Sequence, residues 1–153
     1  ARGVTVEMGR ILGIDYGERR CGVALSDPTQ LIATPYSVIE WKGLRSLLAE
    51  IERISKDQEI ERVVIGMPLN MNGTQGPMAN TVQEFVNTLG KHLAIPVLTW
   101  DERLSTRTAE KALLEAGTSR AKRKKLVDKI AAQILLQAYL DRLQEPFHKP
   151  DCG

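Results

Sequence analysis

Arg10–Asp27 reads RILGIDYGERRCGVALSD, and this stretch decides the fold. RILGID is a short apolar run ending at the turn signal Tyr16-Gly17. CGVALS, from Cys21 to Ser26, is a second run, closed by Asp27-Pro28. The connection is too short for a crossover, so the two pair as antiparallel neighbours. Thr34–Glu40 (TPYSVIE) follows as a third strand after another short link.

The hydrophobic period then changes. Leu44, Leu47, Leu48, Ile51 and Ile54 recur at helical spacing. RVVIG at Arg62–Gly66 is β-branched and apolar on both faces, as in a covered central strand. Met78, Val82, Phe85, Val86 and Leu89 define a second amphipathic helix, with Pro77 suited to its first turn. PVLTW at Pro96–Trp100 is a fifth strand. Ser105 can cap a third helix that stops near Gly117, and a last helix covers roughly Lys125 to Leu143. The order β-β-β-α-β-α-β-α-α predicts an α/β fold. It is a five-stranded mixed sheet, three antiparallel strands and then β-α-β units, flanked by helices. That is the order of a ribonuclease H-like fold. A doubly wound sheet would alternate from its first strand.

The 153 residues suit one domain, 1–153. Residues 1–7 precede Met8 and read as a tag or flexible N-terminus, and 145–153 as a tail. No apolar run reaches the length of a membrane span, and ARGVTVEMGR lacks the apolar core of an export signal. Two cysteines, Cys21 and Cys152, make neither a disulfide framework nor a metal cluster, and fit a reducing cytoplasm. His92 and His148 do not suggest a zinc site.

Three acids stand in places where an acid is costly or conspicuous. Asp15 ends the first strand, where a carboxylate needs a partner, a metal or a solvent cleft; the plainer alternative is a turn with Gly17. Asp101 and Glu102 follow the fifth strand, and ligands gather at the carboxyl ends of strands in open α/β sheets. The alternative there is a dipole effect at the start of the helix after Ser105. Asp128 lies near the start of the last helix, on the side that carries Ala131, Ala132 and Leu135; the alternative is an exposed first-turn acid. Asp15, Glu102 (or Asp101) and Asp128 would repel one another without a cation between them. Hard oxygen ligands favour Mg²⁺ or Mn²⁺, which can activate water and stabilise the leaving oxygen of a phosphodiester.

The net charge of +2 is unevenly spread. TSRAKRKKLVDK, at 118–129, carries +5 and leaves −3 for the rest. Its Arg120, Lys122, Arg123, Lys124 and Lys125 come just before Asp128, where they would hold a polyanion over the acids. A charge run is more often only a solvated face. Arg19, Arg20, Arg103 and Arg107 can extend that surface. The loop 66–76 (GMPLNMNGTQG) offers Asn70, Asn72 and Thr74 to phosphate or sugar, although Asn72-Gly73 is also an ordinary turn. It lacks the lysine and spacing of a phosphate-binding P-loop. Aromatics make up 5% of the chain, so recognition by backbone and shape is favoured over base stacking.

Four blocks resemble the YqgF family, in the RuvC-like branch of the ribonuclease H-like superfamily. They are GIDYGERRCGVALSD at 13–27, VVIGMPLNMNGTQG at 63–76, DERLSTRTA at 101–109 and VDKIAAQILLQAYLD at 127–141, in the family's order. The resemblance implies a magnesium-dependent nuclease with Asp15, Glu102 and Asp128 as catalytic metal ligands. Thr106 either assists them or caps the helix. It brings two substrates, the 5′ end of precursor 16S ribosomal RNA and the four-way DNA junction of recombination. A two-fold junction requires two active sites, hence a homodimer, whereas one RNA strand requires one. Two rivals remain: an actin-like or sugar-kinase ATPase, whose fold needs two such domains, and a non-catalytic ribosome-assembly module.

Overall fold

The computed structural model describes residues 9–68, 72–101 and 120–144, with 120–129 described by backbone alone. Five strands form one sheet: β1 (Arg10–Asp15), β2 (Arg20–Ser26), β3 (Ala33–Glu40), β4 (Ile60–Met67) and β5 (Val97–Asp101). Their order is β3-β2-β1-β4-β5. β1 pairs antiparallel with β2, and β2 with β3. β1 pairs parallel with β4, and β4 with β5. The strand with Asp15 is therefore the central one.

Strand alternation sends side chains to two different layers. Leu12, Ile14, Cys21, Val23, Val63 and Ile65 pack against α1 (Leu44–Asp57) and α2 (Pro77–His92), meeting Leu47, Ile51, Val82, Phe85 and Leu89. On the other face Ile11, Ala24 and Val64 meet Ala132, Leu135, Leu136, Tyr139 and Leu140 of α3 (Arg120–Gln144). Short apolar strands with both faces covered explain why RVVIG shows no polar alternation. Among the described residues no helix is long and apolar enough to cross a membrane.

Two glycines of the GIDYG block are fixed by close approach. A Cβ on Gly13 would lie 2.8 Å from Leu136 Cβ and 3.4 Å from the Ala132 carbonyl oxygen, so only glycine lets α3 sit down on β1. A Cβ on Gly17 would collide with the carbonyl oxygen of Arg20 inside the β1–β2 turn.

The elements expected from the sequence are present with shifted ends. β2, β3 and β4 each start one or two residues earlier than expected, and α1 runs on to Asp57. The largest shift is in α3, which begins at Arg120 and not near Lys125. The basic run is thus the first two turns of the helix. Asp128 stands eight residues inside it, which removes the alternative of a first-turn acid. The helix expected over 105–116 lies outside the described residues.

Candidate active site

The C-terminal ends of β1, β4 and β5 lie together at one end of the sheet, because all three strands are parallel. Ile14 is level with Ile65, so Asp15 comes level with Gly66, and Gly66 with Trp100. Asp15 shares the α3 face with Ile11 and Gly13. Gly66 falls on that same face, so β4 contributes no side chain beside the carboxylate. Asp15 itself is half-buried.

Strand β5 ends on Asp101 itself and fixes the face that this acid takes. Val97 packs toward α1 and α2, whereas Trp100 packs against Tyr139 of α3, with ring centroids 5.8 Å apart. Period-two alternation then places Asp101 with its partner Met67 on the α1–α2 face, opposite to Asp15.

The far end of α3 is tied to the other end of the sheet. Gln137 accepts a hydrogen bond from Ala33 N at 2.9 Å and donates to Leu31 O at 2.9 Å, and Gln144 donates to Gln30 O at 3.4 Å. Gln30 in turn donates to Gly9 O at 2.8 Å, just before β1. α3 therefore runs antiparallel to β1, and its N-terminal turns extend toward the Asp15 end. From Ala132, which lies over Gly13, position 128 is four residues or about 6 Å along the helix. Asp15 is two residues or about 6.6 Å along the strand. Position 128 thus comes level with Asp15, on the helical stripe of the buried residues Ala132, Leu135 and Tyr139.

The remaining candidates divide into four groups. Arg19 and Arg20 sit at this same end, in the β1–β2 turn and at the start of β2. Asn72 and Thr74 are exposed, and the Asn72 side-chain oxygen accepts from Thr74 N at 3.1 Å and Thr74 Oγ1 at 2.7 Å. Those bonds make the local turn that the sequence allowed as the alternative. Asn70, Glu102, Arg103, Thr106 and Arg107 lie outside the described residues. For Arg120, Lys122, Arg123, Lys124, Lys125 and Asp128 the helix backbone alone is placed. Among the described residues no group of three His, Cys, Asp or Glu side chains forms a metal site. His92 pairs with Glu52 of α1 at 2.9 Å, away from the acids.

One neighbour of the site escaped composition-based reasoning. Trp41, just after β3, donates from its ring nitrogen to Gly17 O at 3.2 Å, and its backbone N donates to Arg19 O at 3.0 Å. Its ring lies 5.9 Å from that of Tyr16, which stacks on Phe85 at 4.5 Å. Burial, then the nearby Cys21 and Glu18, hold the Tyr16 hydroxyl above its ordinary pKa. The residue after Asp15 is therefore anchored in an aromatic cluster.

A mixed sheet of this order, with helices on both faces and a carboxylate ending its central strand, defines the class: a ribonuclease H-like domain. The likeness to solved structures agrees. Thermus thermophilus RuvC in complex with a Holliday junction substrate superposes with a TM-score of 0.56 at 16% identity, covering 88% of this chain and 96% of that one. Fowlpox virus resolvase with Holliday junction DNA superposes at 0.53 and 13% identity, over 89% and 99%. The chain belongs to the RuvX family, described as Holliday junction resolvase, which it matches over residues 9–142. Curated relatives are named "Putative pre-16S rRNA nuclease". That of Syntrophomonas wolfei is 51% identical over 132 residues, 86% of this chain and 94% of its own length. That of Clostridium tetani is 48% identical over 132 residues, 86% and 96%.

Proposed function

We propose that the protein is a metal-dependent nuclease that processes the 5′ end of precursor 16S ribosomal RNA in the cytoplasm. What supports it is the packing of α3 on β1 at Gly13, which brings position 128 of the helix level with Asp15 at the carboxyl end of the central strand. The name borne by relatives at about half identity favours the RNA substrate. The family description keeps a four-way DNA junction as the second reading, which would call for a homodimer.

Asp15, Glu102 and Asp128 are the residues that would hold Mg²⁺ or Mn²⁺. Carboxylates are the hard oxygen donors these ions take, and Gly66 leaves the space beside Asp15 free of a β4 side chain. When bound, the ion supplies charge neutralisation and Lewis acidity at a phosphodiester. The chain's part is to carry Asp15 on β1 and Asp128 on α3 and to hold the strand with the cations of 120–125 and Arg19 and Arg20. The opposite facing of Asp101 favours Glu102 over Asp101 as the third acid.

Glu102→Gln should lower Mg²⁺-dependent cleavage at least a hundredfold, whereas Asp101→Asn should stay within a few-fold of wild type. The reverse pattern would overturn the assignment.

A further inference from the structure

A groove of about 860 Å³ opens at the Asp15 end of the sheet, lined by Glu18, Arg19, Arg20, Glu40, Trp41 and Lys42. Its two walls are the β1–β2 turn and the segment between β3 and α1. They are tied together by the two hydrogen bonds of Trp41, to Gly17 O and Arg19 O. The groove lies at the same end of the sheet as Asp15, on the α1–α2 side where Tyr16 and Trp41 pack. Arg19 and Lys42 are exposed, and Trp41 is half-buried with its ring tilted against that of Tyr16.

The charges of the groove do not add up to a simple polyanion trap. Arg20 and Glu40 are directly opposed across β2 and β3, where unlike charges attract and largely cancel. Arg19 and Lys42 then stand against Glu18. A groove with one net positive charge and a rigid indole is poorly suited to a duplex, which presents dense phosphate and hides its base faces. It suits an unpaired strand, whose bases can stack on an aromatic ring while scattered cations track the phosphates.

We infer that this groove is a subsite for the single-stranded segment that flanks the cut, with Trp41 as a base-stacking platform and Arg19 and Lys42 as its phosphate partners. The inference rests on the proposed nuclease function and adds to it: the substrate must be unpaired on one side of the scissile bond. Sparse aromatics therefore do not exclude stacking, because one of the two tryptophans stands where it is needed.

The test uses a labelled single-stranded RNA oligonucleotide with chelator present, so that it stays intact. Wild-type protein should bind it. Arg19→Ala with Lys42→Ala should weaken binding about tenfold and reduce the salt slope by about 0.7 for each phosphate no longer neutralised. Both side chains are exposed, so the fold should survive. In Trp100→Phe, where Trp41 is the sole tryptophan, the strand should quench emission, and a duplex of equal length should not. Should that variant fail to fold, the emission difference between wild type and Trp41→Phe gives the same readout. Tight binding with unchanged affinity in the double variant and no quenching of Trp41 would overturn the subsite while leaving Asp15-dependent cleavage standing. Absence of any strand binding by wild type would overturn both.

Discussion

At the residue scale, Gly13 sets how closely α3 packs on β1. An alanine there would place its Cβ 2.8 Å from that of Leu136, and neither the β1 backbone nor the helix can yield cheaply. Gly13→Ala should cost about 1–3 kcal/mol of stability as overpacking, read by denaturant unfolding. It should also reduce cleavage more than stability alone explains, because lifting α3 separates position 128 from Asp15. Asp27 has a purely structural part at the opposite end. Its carboxylate accepts from Ile32 N at 2.8 Å, from the Thr29 hydroxyl and from Leu31 N at 2.9 Å, and these bonds, Ile32 first and the Thr29 hydroxyl next, hold its pKa well below the usual carboxylate range. A lowered pKa stabilises the fold fully above the unfolded value of about 4 and loses that contribution as the pH falls through the native value. Asp27→Ala should therefore cost about 1–2 kcal/mol near neutral pH and flatten the acid limb of the stability profile.

At the element scale, apolar periodicity revealed every strand and both helices of the α1–α2 layer. It missed the start of α3 for a physical reason. RAKRKK has no apolar recurrence to detect, yet arginine, lysine and alanine are strong helix formers. The basic run is accordingly ordered helix, continuous with the turn that carries Asp128. Charge reversal on that segment, Lys124→Glu with Lys125→Glu, should weaken nucleic-acid binding at low salt and lose most of its effect at high salt, measured by titration across a salt series. An unchanged affinity at low salt would place the strand elsewhere. The pair Asp101 and Glu102 shows what adjacent acids leave open until a register is known. Only the pairing of β5 with β4 tells which face Asp101 takes.

At the scale of the whole molecule, one end of the sheet gathers Asp15, the groove at Trp41 and the N-terminal direction of α3. The other end holds the Asp27 hairpin and the glutamine ties. The uneven charge of the chain follows this division only in part: the +5 segment lies along the first turns of α3, whereas the groove is nearly balanced. Proximity between β3 and the segment after it, on one side, and the β1–β2 turn, on the other, is tertiary. No local pattern in the sequence announces that Trp41 will sit against the β1–β2 turn. The most direct test of the central claim is a side-by-side Mg²⁺ cleavage assay on precursor 16S RNA and on a four-way DNA junction, with Asp15→Asn as control. The expected result is Mg²⁺-dependent cutting of the RNA near its 5′ end, abolished by chelator and lost in Asp15→Asn. Cutting by Asp15→Asn at the wild-type rate would contradict it.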